Sequence, residues 1–148
     1  MKDSIVNKEE LSTILEKHKL WLDNEEDCEC ANLSDVDLRG ADLRGADLRH
    51  ACLFGANLSC ADLSDANLSY SDLRGASLWG AGLRHACLFG ANLMGATLIS
   101  ANLSYSDLRG AALISADLRG ADLSDVDLRD VDLRDADLEG AILKNTKF

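Results

Sequence analysis

Between Ala31 and Leu143 the hydrophobic and polar positions of this 148-residue chain recur every five residues, 23 times without a gap. Ala31-Asn32-Leu33-Ser34-Asp35 is the first copy and Ala136-Asp137-Leu138-Glu139-Gly140 a late one. The third residue is Leu throughout; the first is Ala in 18 copies, Val in three (Val36, Val126, Val131) and Ser in two (Ser71, Ser106). Neither regular element can bury a period of five. On an α-helix, with about 100° per residue, successive leucines lie about 140° apart and form no stripe. On a straight strand the side-chain period is two, so an odd step throws successive leucines to opposite faces. A chain that turns a corner every five residues succeeds. Ala and Leu, two apart, point to the inner side of a short extended piece, and the other three residues face out or make the corner. Coils of this kind stack at about 4.8 Å.

Ten of the 11 glycines fall on the fifth place, for example Gly40, Gly45, Gly75, Gly80 and Gly110. Glycine is favoured where a turn needs positive φ. Asp, Ser, His, Tyr and Asn also stand there, so the corner does not demand Gly at every step. The chain has no proline, which would delete a pairing donor wherever it entered a ladder.

These residues resemble the pentapeptide-repeat family, whose phrase is A(D/N)LXX. The match covers about three-quarters of the chain. The resemblance implies an all-β solenoid, a right-handed quadrilateral β-helix with four repeats per coil. The periodicity alone leaves three or four corners open. With four, the repeats make about six coils and a rod on the order of 28 Å long.

Residues 1–27 read as an N-terminal α-helical cap and linker, and 28–148 as the β-helix. Asn7 with Glu10 three residues later predicts a capping box. Leu11, Ile14, Leu15, Trp21 and Leu22 then follow at helical spacing, with His18 on the same face. Such a helix needs a surface to cover, and the open first coil of a repeat array provides one. His18 reads as a packed, hydrogen-bonded residue of that cap.

The net charge is −11. That disfavours direct binding to nucleic acid phosphates. No run approaches the roughly 18 apolar residues of a membrane span, and Met1-Lys2-Asp3-Ser4-Ile5 opens no apolar leader segment, so a cytoplasmic protein is expected. The five cysteines read as reduced thiols. Cys28, Cys30 and His50 are too few and too divergent for a zinc site, and neither a metal nor a cofactor is implied.

Two constellations stand out on the outward places. If coils have 20 residues, Phe54, Arg74, Met94 and Ile114 form one column and Trp79 and Ile99 another. Phe54, Trp79, Met94, Ile99 and Ile114 are thus a candidate apolar interaction patch. The second is acidic: Asp122, Asp125, Asp127, Asp130, Asp132, Asp135, Asp137 and Glu139 lie within one coil's length, opposed by Arg129 and Arg134. Members of the family that inhibit DNA gyrase are understood as mimics of duplex DNA, which implies the same role for an acidic rod. Duplex DNA carries one charge per ~1.7 Å, or about 16 over such a rod, and only this last stretch approaches that density. The competing account is that like charges oppose stacking of rods at an open end.

A longer copy overlies the short one. Arg49–Leu58 recurs at Arg84–Leu93, and Asn67–Ala76 at Asn102–Ala111, both shifted by 35 residues, or seven repeats. Seven is not a multiple of four, so Phe54 and Phe89 cannot share a stripe. The same stacking rule sets His50 beside Tyr70 and His85 beside Tyr105. No nucleophile–base set, phosphate loop or metalloprotease motif appears, and a filled rod offers no obvious pocket. The expected function is a non-catalytic protein–protein interaction scaffold, monomeric or an end-to-end dimer. The alternative is a duplex-DNA mimic acting on DNA gyrase or another type II topoisomerase.

Overall fold

The fifth residue of each repeat sets the path of the chain. In the computed structural model, which describes residues 4–24 and 29–148, all 23 fifth-place residues have positive φ, between 56° and 69°. The N–H of the next repeat's first residue donates back to the Leu carbonyl, as from Ala41 to Leu38 at 3.0 Å. Positive φ at the third residue of a hydrogen-bonded turn is the type II pattern. The corner therefore always demands a left-handed residue, although not always glycine. His50, Tyr70, Ser100, Tyr105 and Ser115 occupy it with a full side chain. A non-glycine residue there costs roughly 1–2 kcal/mol.

Hydrogen bonding offsets that cost. In the repeat 61–65, Ala61 N–H donates to Leu58 O (3.0 Å), Asp62 N–H to Ala41 O (2.9 Å), Leu63 N–H to Gly82 O (2.7 Å) and Asp65 N–H to Arg84 O (3.0 Å). The remaining N–H, on Ser64, donates to Oδ1 of Asp62 at 3.1 Å. All five donors of this repeat are satisfied, as buried or crowded backbone requires. Parallel bridges join second-place residues 20 apart, from Asn32–Cys52 to Asp127–Lys147. One coil is thus four repeats with four turns. Its extended pieces are single bridges rather than long strands, so the molecule is a solenoid with little formal β-strand.

Ala and Leu point into the bore. The leucines from Leu33 to Leu128 form one continuous buried cluster with the alanines between them. Each buried Leu contributes roughly 1.5–3 kcal/mol of transfer free energy.

The two ends differ. Leu33, Leu38, Leu43 and Leu48 are buried, whereas Leu133 and Leu138 are half-buried and Leu143 is 40% exposed. The difference traces to the N-terminal elements. Strand β1 (Ser4–Ile5) pairs in parallel with β2 (Val36–Asp37), Ser4 against Val36. Helix α1 (Lys8–Leu22) follows, with the capping box in place. Asn7 accepts from the Glu9 and Glu10 N–H groups, and Glu10 accepts from the Asn7 N–H. Val6, Leu11, Ile14 and Leu15 pack against the solenoid's buried cluster. The β1 pairing is a finding the sequence did not suggest, because Ser4-Ile5 carries no trace of the repeat.

Leu78 lies mid-rod and fully buried. Leu78→Ala should destabilise the protein by about 2–5 kcal/mol, read from urea unfolding followed by circular dichroism. Leu143→Ala should cost less than a third of that.

Candidate interaction surfaces

The outward faces are built from three places of the repeat, and the second place has a backbone duty. Wherever it is Asp or Asn, its Oδ1 accepts the N–H of the fourth residue, as in Asn57–Ser59 (3.2 Å), Asn92–Met94 (3.2 Å) and Asp122–Ser124 (2.9 Å). This short side-chain turn accounts for the preference for Asp or Asn there.

When the fourth residue is Arg, the same carboxylate takes a second role. Asp117 receives Arg119 Nε at 2.8 Å on one oxygen and Nη2 at 2.7 Å on the other. Forks of this kind occur at Asp37–Arg39, Asp42–Arg44, Asp47–Arg49, Asp72–Arg74, Asp107–Arg109, Asp127–Arg129 and Asp132–Arg134. Hydrogen bonds from the Arg side chains hold these carboxyls below the usual range, that of Asp42 at about 2. Arg84 lacks a fork because Gly82 fills its second place, and it lies over the Tyr105 ring instead, 5.4 Å from the centroid.

The forks change the acidic stretch. Asp127 and Asp132 are each tied to an Arg within their own repeat. Asp137 lies 3.7 Å from Arg119 Nε, Asp122 accepts the Ser124 N–H, and Asp125 accepts from Asn145 Nδ2 at 2.9 Å. Asp125, Asp130 and Asp135 stand at corners with positive φ, and Glu139 is exposed at the fourth place of its repeat. The eight acids therefore form no uniform negative surface. The three-residue phrase Asp-Leu-Arg was visible in the sequence, and the fork it makes was missed.

The apolar columns assemble as the 20-residue rule requires. Asp35, Gly55, Gly75 and Gly95 donate in turn to the carbonyls of Phe54, Arg74, Met94 and Ile114, which places those four on successive coils. Cys60 and Gly80 do the same for Trp79 and Ile99. Phe54 is 46%, Trp79 52% and Met94 40% exposed; Ile99 and Ile114 are half-buried. A shallow polar groove of about 400 Å³, with Gly55, Gly75, Asn57 and Ser77 in its lining, lies between the two columns. The structure thus gives two apolar ridges flanking a polar floor, not one continuous patch.

Aromatic contacts carry the 35-residue copy onto new faces. His50 stacks on Tyr70 at 5.3 Å and His85 on Tyr105 at 5.2 Å. The Arg74 guanidinium sits 5.5 Å over Phe54, and that of Arg109 sits 5.8 Å over Phe89. The two copies extend differently: Arg84 lies over Tyr105 in the second, and the first continues through aromatic rings. Phe89 meets Tyr70 edge-on at 5.4 Å, and Trp21 of α1 meets His50 at 6.3 Å. Trp21 in turn stacks on His18 at 5.8 Å.

Four described cysteines, Cys30, Cys52, Cys60 and Cys87, are free. Cys30 Sγ donates to the His50 carbonyl at 3.2 Å; Cys28, and with it the Cys28–Cys30 pairing weighed as a metal site, lies outside the described residues. Among the described residues no group of three or more His, Cys, Asp or Glu side chains is placed to hold a metal ion. Nor is any helix long and apolar enough to cross a membrane.

A stack of four-repeat turns around a Leu bore, with surfaces made of short polar turns, defines a repeat β-solenoid. The chain belongs to the pentapeptide repeats family, which matches in 8 copies spanning residues 27–59, 56–93, 80–113, 91–130 and 113–148. Among solved structures it is similar to a pentapeptide repeat protein of the Arabidopsis thaliana thylakoid lumen, at 31% identity and a TM-score of 0.62, over 64% of this chain and 66% of that one. A pentapeptide repeat protein from the cyanobacterium Cyanothece 51142 aligns at 29% identity over 93% of this chain and 99% of that one, with a TM-score of 0.41. QnrB1, a plasmid-mediated fluoroquinolone resistance protein, aligns at 18% identity over 80% of this chain and 73% of that one, with a TM-score of 0.31. No curated protein matches the sequence.

Asp117→Asn keeps the oxygen that accepts the Arg119 N–H and loses the charge; Asp117→Ala loses both. The Ala variant should be less stable than the Asn variant by about 1 kcal/mol, measured by urea unfolding. The forked carboxyls have depressed values in the folded state, so their contribution is complete above about pH 4, the ordinary Asp range. It is lost as pH falls through the folded values, to about 2 for Asp42. Circular dichroism should therefore place the onset of acid unfolding of the rod below pH 4.

Proposed function

We propose that this protein is a non-catalytic scaffold that docks a protein partner across the ridges formed by Phe54, Met94 and Ile114 on one corner and Trp79 and Ile99 on the next. The observation that carries this reading is the exposure of Phe54, Trp79 and Met94 at places where Ser or Arg stands in most repeats. Large exposed aromatic side chains are the usual anchors of protein interfaces, and the polar floor between the ridges suits the hydrogen-bonding part of such a contact. The same proposal takes the solenoid as right-handed and four-sided, with nearly six coils and with residues 1–27 closing the first of them. Support comes from the 20-residue bridge spacing and from α1 packing on the buried cluster. A reducing cytoplasm suits the free thiols.

The second reading, a DNA mimic directed at a type II topoisomerase, rests on the corner acids Asp125, Asp130 and Asp135 and on Glu139. It is the weaker of the two, because a duplex presents unpaired phosphates at every step and Asp127 and Asp132 spend their charge on Arg within the same repeat.

Trp79→Ala should weaken capture of the partner at least tenfold, in line with loss of an interface anchor, while leaving circular dichroism unchanged. Proximity labelling with the parent and this variant measures it; equal labelling by both overturns the scaffold reading at this surface. A supercoiling assay with purified gyrase should find no effect at micromolar protein. Inhibition that disappears on neutralising Asp125, Asp130 and Asp135 would establish the second reading instead.

A further inference from the structure

Helix α1 meets the first coil through a hydrogen bond that only a neutral imidazole can accept. The Ala31 N–H donates to Nδ1 of His18 at 3.1 Å. His18 is fully buried; its Nε2 has no partner in full hydrogen-bond geometry, and the Arg49 backbone carbonyl is the acceptor that favours a proton on the ring. With Nδ1 accepting, the proton of the neutral ring sits on Nε2. A second proton would have to enter at Nδ1, where it would face the Ala31 N–H head-on, donor against donor, and would put a charge into a buried site.

The groups that face His18 can be named. From the coil these are Asp47, Arg49 and His50. On α1 the flanking Lys17 and Lys19 are exposed, and Trp21 stacks on the ring. Burial pushes the His18 value down. Asp47 and the Arg49 carbonyl pull it up, and the Arg49 and His50 charges push it down. Asp47 is itself occupied by Arg49, so its pull on His18 is shared.

We propose that α1 is a proton-operated latch, in which uptake of a proton by His18 releases the helix from the first coil and uncovers that coil's apolar edge. The remaining attachment is the β1–β2 pairing that precedes α1, the apolar contact of Leu11, Ile14 and Leu15 and the edge contact of Trp21 on His50. Release would expose Leu33, Leu38 and Leu43, which are now buried. The sign follows from linkage. A freed His18 takes up protons near the ordinary value of about 6.5, and the latched one does so at lower pH. Latching is therefore at full strength above about pH 6.5. Below it, the open fraction rises by up to tenfold per pH unit, the limit for one proton.

The test is an amide-resolved NMR titration of the full chain from pH 7.5 to 5.0. The Ala31 amide and the amides of α1 should leave their latched positions together with the His18 ring signals, at one midpoint below 6.5, while amides 51–128 stay fixed. His18→Gln offers a side-chain oxygen to the Ala31 N–H and takes up no proton, so its helix should stay latched throughout; His85→Gln, at a residue that stacks on Tyr105 away from α1, should behave as the parent. The latch is overturned if His18 titrates with α1 still bound, or if His18→Gln shows the same release. Should His18→Gln free the helix at every pH, the parent titration decides alone. A shared midpoint for His18 and α1 upholds the latch, and separate midpoints overturn it. Partner capture at the Phe54–Trp79 ridges is read at pH 7.5, so either proposal can fail without the other.

Discussion

A left-handed residue at every fifth position is the constraint on which the rest of the molecule depends. It turns the chain, and it returns Ala and Leu to the same inner side each time. It also leaves every backbone donor of a typical repeat within reach of an acceptor. Strain repeated at each corner is tolerable because each repeat gains hydrogen bonds to both neighbouring coils and adds a Leu to the bore. Stability then accumulates along the rod as neighbour terms. A defect mid-rod is felt on both sides, and one at an end on a single side.

The same geometry fixes what the surface can do electrostatically. The second-place carboxylate is engaged first by the backbone of its own repeat and then, where Arg follows, by a guanidinium two residues on. Charge counted along the sequence is therefore a poor guide to the field outside the rod. Two residues of opposite sign in one repeat cancel locally, whatever the net charge of the chain. The acids at the corners make no fork of this kind, because the Arg beside Asp130 and the Arg beside Asp135 are already held by the second-place carboxylates Asp127 and Asp132.

Much of the scaffold was legible in the sequence. Leu at the third place and Ala at the first specify the bore, and Asn7 with Glu10 specifies the start of α1. The stacking of His50 on Tyr70 followed from the 20-residue coil. Other features were hidden because they depend on which atoms meet. Nothing in Ser4-Ile5 announces a strand, since backbone pairing carries no side-chain signature. The tie from Ala31 to His18 joins the helix to a repeat by a single lone pair. The polar floor between the Phe54 and Trp79 columns appears only when Gly55, Gly75, Asn57 and Ser77 are seen side by side. The purpose of the ridges was least legible, because outward residues answer to a partner rather than to the fold.

The 35-residue copy has a consequence for how such a rod changes over time. A coil is 20 residues, so a tandem duplication of seven repeats advances the pattern by one and three-quarter turns. The His–Tyr and Arg–Phe stacks reappear a quarter-turn round the axis, on an undamaged core. An insertion or deletion of 15 nucleotides, read in frame, would rotate everything downstream by one face. Length variation in this protein is thus also angular variation. Its genome can re-aim a binding face, or set a copy of it on an adjacent side, without altering a single buried residue.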